Sequence, residues 1–142
     1  MTAGPLHVLV VDDELLIRWA LAEMLADTGH VVDEAGDAAS ARRAVADPHR
    51  RPDVVLLDYR LPDSNNLELL AAIRRDVPEA AVILMTAFGT PDVVQGALGL
   101  GAYRILAKPF ELRDVAALVS EAHAASRPPA GGSWGIARAA AK

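Results

Sequence analysis

Short apolar runs alternate along the chain with segments long enough to form helices, and this alternation strongly constrains the fold. Nearly continuous aliphatic runs of this length are typical of parallel strands that are covered on both faces. Four of them end on polar residues: Leu6–Val11 before Asp12 and Asp13, Val54–Leu57 before Asp58, Val82–Met85 before Thr86, and Tyr103–Ala107 before Lys108. A fifth, short strand is predicted at Val31–Ala35. The pattern predicts an α/β protein with a doubly wound, five-stranded parallel sheet.

Length and composition predict one domain followed by a short tail. Of the 142 residues, 52% are hydrophobic and 23% are charged, which are ordinary values for a globular protein. The predicted domain covers residues 1–126. At Arg127 the composition changes to a Pro-, Gly- and Ala-rich stretch, so residues 127–142 are predicted to be a flexible tail.

Other features of the composition exclude several classes of protein. The chain has no cysteine, which agrees with a reducing compartment. No apolar run approaches the roughly 20 residues that a membrane helix needs, and the start does not resemble a signal peptide. We therefore expect a cytoplasmic protein with no membrane partner. All 19 acidic residues lie within residues 1–126, and an acidic domain repels the phosphate backbone, so no direct contact with nucleic acid is expected.

The polar residues that follow the strands form one chemical set. In open α/β sheets, ligands bind outside the carboxyl ends of the strands, near the point where the strand order reverses. We therefore expect Asp12, Asp13, Asp58, Thr86 and Lys108 to meet at one edge of the sheet. Carboxylates about 4 Å apart repel each other by roughly 4 kcal/mol at an effective dielectric constant of 20, so such a cluster needs a cation.

This set of side chains suits a divalent metal and a phosphoryl group. Mg²⁺ prefers oxygen ligands and commonly binds through one or two carboxylates together with a phosphate. Asp58 is the best candidate nucleophile, because it stands alone at the end of a central strand. Lys108 would neutralise phosphoryl oxygens, and the hydroxyl of Thr86 would bind one of them.

The motifs that carry these residues resemble the receiver domain of two-component response regulators. They are Val10–Glu14, Leu56–Pro62, Met85–Ala87 and Lys108–Phe110, in the order and spacing of that family. The resemblance covers residues 6 to about 125, and Leu84–Thr90 and Gly101–Tyr103 look most like receivers of sigma-54-dependent activators of the NtrC type. It implies a flavodoxin-like fold of the CheY kind, with strand order 2-1-3-4-5.

The resemblance also implies the roles of the site residues. Asp58 would accept a phosphoryl group from a sensor histidine kinase or a phosphotransfer protein. Mg²⁺ would be held by Asp13, Asp58 and the backbone carbonyl of Arg60, with Asp12 bound mainly through water.

On the same grounds, Thr86 and Lys108 would bind the phosphate, and the Lys108–Pro109 peptide would be cis. Phosphorylation would change the surface formed by the fourth helix, fifth strand and fifth helix, which would act on an output domain or protein and is also suited to a homodimer. The protein would then be a signalling switch and not an enzyme.

One position departs from the family pattern and keeps an alternative open. Ile105 stands where family members usually have Tyr or Phe, and Tyr103 is expected on the same side of the strand. The alternative is an interaction module with the receiver fold that does not use phosphate.

A second alternative is an aspartyl-phosphate hydrolase of the haloacid dehalogenase type. It is disfavoured because Arg60 stands where that class needs a second Asp. Two apolar residues also have expected roles: Phe88 is predicted to shade the site from water, and Trp19 to pack on the first helix, with an exposed partner contact as its alternative.

Overall fold

A computed structural model describes residues 5–64, 67–87 and 89–126. Within these residues five strands alternate with five helices. The strands are β1 His7–Val11, β2 Val31–Ala35, β3 Val54–Asp58, β4 Ala81–Thr86 and β5 Arg104–Ala107. The helices are α1 Leu15–Asp27, α2 Ala38–Ala46, α3 Glu68–Asp76, α4 Pro91–Gly99 and α5 Leu112–Ser126. Residues 127–142, predicted to be a tail, and Phe88 lie outside the described residues.

The five strands form one parallel sheet in the order β2-β1-β3-β4-β5. This confirms the predicted fold class and strand order. Strand β1 lies between β2 and β3, so the residues that follow β1 and β3 are brought to the same edge of the sheet. None of the helices in the described ranges is long and apolar enough to cross a lipid bilayer.

The central strands are buried on both faces, which is why their sequences are continuous apolar runs. Every residue of β3 and β4 is buried. Side chains alternate between two apolar clusters, one between the sheet and helices α1 and α5, the other between the sheet and helices α2, α3 and α4. The chain therefore forms three layers, and the carboxyl edge of the sheet stays open between them.

The loop after β3 is fastened to the start of α2. The carboxylate of Asp63 accepts hydrogen bonds from the backbone N–H groups of Ala38 and Ala39, at 2.7 and 3.0 Å. The first N–H groups of a helix lack partners within the helix, so a carboxylate there satisfies them and interacts favourably with the helix dipole. This contact limits the freedom of the loop that follows Asp58.

The expectation that Tyr103 and Ile105 lie on the same side of the sheet is wrong. Ile105 packs against the cluster under α2, α3 and α4, whereas Tyr103 packs against the opposite cluster. Strand β5 begins only at Arg104, so the alternation of a strand does not extend to Tyr103. The Tyr103 hydroxyl instead lies 3.5 Å from the carboxylate of Glu121 on α5.

Candidate functional site

The carboxyl ends of β1 and β3 bring three carboxylates together. Asp58 is the last residue of β3 and is 6% exposed, while Asp12, just after β1, is fully buried. Each of Asp12, Asp13 and Asp58 offers one carboxylate oxygen, and these three atoms lie within 4.8 Å of one another. The three side chains predicted to hold a metal therefore converge.

Lys108 enters the same cluster from the loop after β5. Its Nζ atom lies 3.0 Å from Oδ2 of Asp12 and 3.3 Å from Oδ2 of Asp58. The backbone N–H of Lys108 donates to the carbonyl of Thr86 at 2.9 Å, which fastens the loop to the end of β4. The Lys108–Pro109 peptide is cis, as the resemblance implied.

Thr86 and Arg60 complete the walls of an open cleft. Thr86 ends β4 and is 2% exposed, and the backbone N–H of Arg60 donates to Oδ1 of Asp58 at 3.3 Å. The cleft has a volume of about 310 Å³. Its lining consists of Asp13, Glu14, Asp58, Arg60, Thr86, Ala87 and Lys108. All the residues predicted from the sequence to form the site line this cleft or contact a residue that does.

Asp12 and Asp13 are held in different ways. Both carboxylate oxygens of Asp12 have partners, since Oδ1 accepts from the backbone N–H of Glu14 at 2.9 Å and Oδ2 accepts from Lys108. Asp13 is exposed and faces the cleft. That Asp13 binds a metal directly and Asp12 mainly through water stays a prediction.

Burial and charge set the protonation of Asp58 and Lys108. Burial, together with the negative charge of Asp12, raises the pKa of Asp58 to about 6, although Lys108 and the N–H of Arg60 oppose this rise. Burial lowers the pKa of Lys108, but its hydrogen bond to Asp12 and the charge of Asp58 outweigh that effect, and the net shift is upward. Lys108 therefore stays positively charged.

The cluster fits a hard divalent cation. The carboxylates of Asp12, Asp13, Glu14 and Asp58 outnumber the positive groups of Arg60 and Lys108 at this cleft. All the converging donor atoms are oxygens, which Mg²⁺ prefers, and the open cleft leaves room for the waters that Mg²⁺ usually keeps.

Two residues at the site were missed by the reasoning from sequence. One carboxylate oxygen of Glu14 lies 3.4 Å from Nζ of Lys108. Its position directly after Asp12 and Asp13 could have indicated that it belongs to the site. Arg18 on α1 donates from Nη1 to the backbone carbonyl of Asp12 at 2.8 Å. Nothing in the local sequence indicated that contact.

Comparison with known proteins gives this arrangement a family. The family model described as the response regulator receiver domain matches residues 8–120. The chain belongs to this family. Receiver domains are phosphoryl-accepting signalling modules that work with histidine kinases and output domains.

The relatives of this receiver include a DNA-binding transcriptional regulator and a phosphotransferase. It is 36% identical over 123 residues to the DNA-binding transcriptional regulator NtrC of Azospirillum brasilense, and this match covers 87% of this chain and 25% of that protein. It is 34% identical over 108 residues to sporulation initiation phosphotransferase F of Bacillus subtilis, which covers 76% of this chain and 86% of that protein. This receiver thus spans about a quarter of the NtrC relative, and the resemblance to NtrC-type receivers is confirmed.

A solved structure confirms the fold. The CheY-like receiver domain protein of Methanospirillum hungatei superimposes with a TM-score of 0.81 at 24% identity, covering 87% of this chain and 97% of that one.

Proposed function

We propose that this receiver accepts a phosphoryl group on Asp58 and relays the change to the surface formed by α4, β5 and α5. The observation that carries the proposal is the 3.3 Å distance from Nζ of Lys108 to Oδ2 of Asp58, in a cleft where three carboxylates converge. A nucleophile, a fixed cation and a set of metal ligands are the parts that phosphoryl transfer to a carboxylate needs.

The transfer follows from the positions of these side chains. A carboxylate oxygen of Asp58 attacks the phosphorus of a phosphohistidine, the phosphorus–nitrogen bond breaks as the phosphorus–oxygen bond forms, and the imidazole leaves and takes a proton from solvent. The pKa of about 6 keeps Asp58 largely ionised at neutral pH. Lys108 neutralises phosphoryl oxygens, and the Thr86 hydroxyl donates to one of them. That Phe88 excludes water from the site, and so slows hydrolysis of the aspartyl phosphate, stays a prediction.

Mg²⁺ is the cofactor of this proposal. Asp13, Asp58 and the backbone carbonyl of Arg60 would hold it directly, and Asp12 through water. When bound, Mg²⁺ neutralises the charge that develops on the phosphoryl oxygens.

The signal would leave the cleft through Thr86, which ends β4 and precedes α4. Movement of the Thr86 hydroxyl toward the phosphoryl group would shift the loop between β4 and α4. Helix α4, which is described throughout, buries only Ala97, and β5 at the sheet edge is partly exposed. This light packing favours a small displacement of the α4–β5–α5 surface, which would act on an output domain or protein and could support a homodimer.

An apolar groove beside the cleft supports docking of the phosphoryl donor. Its volume is about 290 Å³, and its lining includes Leu16, Ile17, Phe110, Leu112 and Lys108, the last of which it shares with the cleft. Leu16 is 79% exposed and Trp19 is 56% exposed, so the expectation that Trp19 packs is wrong and its alternative, a partner contact, is favoured. A large exposed apolar patch marks a binding surface.

The position of this groove selects its occupant. A phosphohistidine on a sensor kinase or phosphotransfer protein has to reach Asp58 through the mouth of the cleft, so the donor has to lie on the adjoining surface. We place this exchange in the cytoplasm, with which the lack of cysteine agrees.

Treatment with acetyl phosphate and Mg²⁺ tests the proposal directly. We expect intact-mass spectrometry to show one added phosphoryl group on the wild type and none on Asp58→Asn. The matched control is Glu23→Gln, a change of an exposed carboxylate on α1, which should be modified like the wild type.

The same experiment also tests the alternative function, an interaction module that does not use phosphate. Ile105, in place of the usual aromatic residue, is the observation that favours a phosphorylation-independent module. A wild type that stays unmodified with every phosphodonor, while it still binds a kinase or an output protein, would establish that alternative.

A further inference from the structure

We infer that Arg18 is a positioning residue for the metal site, because it fixes the backbone between Asp12 and Asp13. The inference rests on the proposed function, since it concerns the Mg²⁺ site of the same cleft. Nη1 of Arg18 donates to the carbonyl of Asp12 at 2.8 Å, and Nε donates to the carboxylate of Glu34 on β2 at 3.1 Å. The side chain is 19% exposed, so both contacts are partly shielded from water.

The carbonyl that Arg18 holds belongs to the peptide that links Asp12 to Asp13. The orientation of this peptide sets the direction in which the Cβ atom of Asp13 leaves the backbone. The Asp12 carboxylate has Lys108 and the N–H of Glu14 to hold it. The Asp13 carboxylate has no hydrogen bond or ion pair with the part of the chain that the structure describes, so its aim depends on the backbone alone. Arg18 therefore acts on the ligand that is otherwise least constrained.

Gly36 provides a second, independent observation. A Cβ atom at this position, just after β2, would lie 2.9 Å from Nη1 of Arg18, a separation that requires the guanidinium to move. Positive φ angles do not explain this glycine, because among the described residues they occur at Gly29 and Gly101. The absence of a side chain at position 36 thus leaves the space that the guanidinium occupies.

The geometry needs an arginine. A guanidinium presents several N–H donors in a rigid plane and can bind two acceptors at once, whereas a lysine ammonium is a compact charge on a flexible stem. Here the two acceptors are Glu34, on the neighbouring strand, and the loop that carries the metal ligands. The guanidinium couples that loop to β2, which is itself hydrogen-bonded along β1.

A titration with MgCl₂ in the absence of any phosphodonor, followed by amide NMR shifts, tests the inference. Partners that orient metal ligands typically change affinity by about 10- to 100-fold when they are lost. We expect Arg18→Ala to weaken Mg²⁺ binding by about tenfold, near the lower limit of that range. Arg18→Lys should restore only part of the affinity.

Gly36→Ala is the decisive variant because it conserves every charge. Its added methyl group meets only the far end of the Arg18 side chain, so the protein should fold normally while the guanidinium leaves the Asp12 carbonyl. We expect weaker Mg²⁺ binding here as well. The control is Arg51→Ala, which removes an equal charge and an ion pair with Glu79 of 2.8 Å before β3, at the opposite end of the sheet.

A second readout separates positioning from general destabilisation. In the acetyl phosphate reaction, the Arg18 and Gly36 variants should need more Mg²⁺ for half-maximal rate but should approach the wild-type rate at saturation. A loss of rate that Mg²⁺ does not restore would contradict the inference, as would wild-type affinity in Gly36→Ala and Arg18→Ala, or an equal loss in Arg51→Ala.

The inference and the proposed function fail separately. A wild type that binds Mg²⁺ but is never phosphorylated would defeat the proposed function and leave the role of Arg18 intact. A wild type that is phosphorylated, with variants that bind Mg²⁺ equally well, would defeat only the role of Arg18. A wild type that binds no Mg²⁺ would overturn this inference.

Discussion

Replacement of Asp58 by asparagine should make this receiver more stable at neutral pH while it removes the proposed phosphorylation site. Asp58 is nearly buried, and burial together with the charge of Asp12 raises its pKa to about 6 from the model-peptide value of 3.8. The folded state therefore holds this carboxylate in its charged form against an unfavourable environment. Asparagine has a similar shape and carries no charge, so it removes that penalty.

The sign and size of the effect follow from the two pKa values. Below pH 3.8 the carboxyl is protonated in both states and contributes nothing. Between 3.8 and about 6 the unfolded chain ionises first, so the native state loses stability as the pH rises, and above 6 the full penalty is present. A shift of about two units at 1.36 kcal/mol per unit gives roughly 3 kcal/mol at pH 7.5, and about half of that at pH 5.

Urea unfolding followed by far-UV circular dichroism measures this difference. The wild type and Asp58→Asn are compared at pH 7.5 and pH 5 in the presence of EDTA, because bound Mg²⁺ would offset the repulsion. Glu23→Gln is the control, and as an exposed substitution it should change stability by less than about 0.5 kcal/mol. The reasoning is refuted if Asp58→Asn is no more stable than the wild type at pH 7.5, or if its gain is the same at both pH values.

Three further predictions concern other parts of the molecule. Lys108→Met should lower the free energy of unfolding at neutral pH by about 3 kcal/mol, because it leaves Asp12 and Asp58 without their shared cation. Urea unfolding should show a smaller loss at pH 5, where Asp58 is largely protonated. Leu16→Gln should slow phosphotransfer from a cognate kinase by roughly tenfold, as for a contact at an interface hot spot, and leave the rate with acetyl phosphate unchanged; equal slowing with both donors would contradict the docking surface. Burial lowers the pKa of His30, whose Nδ1 accepts a hydrogen bond from the backbone N–H of Leu6 at 3.0 Å. The contribution of neutral His30 to stability should therefore be present above pH 6.5 and be lost as the pH falls below that value. Thermal unfolding of His30→Asn should then depend less on pH below 6.5 than unfolding of the wild type does.

The strands and the converging carboxylates were predictable because both follow from burial. Side chains of β3 and β4 are buried on both faces, so their sequences are apolar throughout and their ends are marked by the first polar residue. Parallel strands bring those ends to one edge, and the position of β1 beside β3 places Asp12 and Asp13 near Asp58. The convergence of these carboxylates is therefore predictable from the order of the strands and the residues that end them.

The supports of the site were not predictable in the same way. Arg18 reaches the Asp12 carbonyl only because the pairing of β1 with β2 sets Val10 beside Glu34, and because Gly36 leaves room for the guanidinium. A long side chain on a helix has many rotamers, and the one it adopts depends on this tertiary arrangement. Helix α1 is apolar on most of its surface, so periodicity could not identify Leu16 and Trp19 as the exposed face.

The resting contacts of Lys108 limit how much energy phosphorylation can supply to the switch. Moving a two-state equilibrium from mostly off to mostly on needs about 5.5 kcal/mol, and a hydrogen bond to a charged group contributes about 1.5–3 kcal/mol. Lys108 already lies within 3.4 Å of Asp12, Asp58 and Glu14, so its contact with a phosphoryl group replaces existing contacts and adds little. The bond from the Thr86 hydroxyl to a phosphoryl oxygen is a single hydrogen bond, which falls short of the total. The remainder has to come from Mg²⁺ and from the output partner, because a partner that binds only the switched α4–β5–α5 surface shifts the same equilibrium.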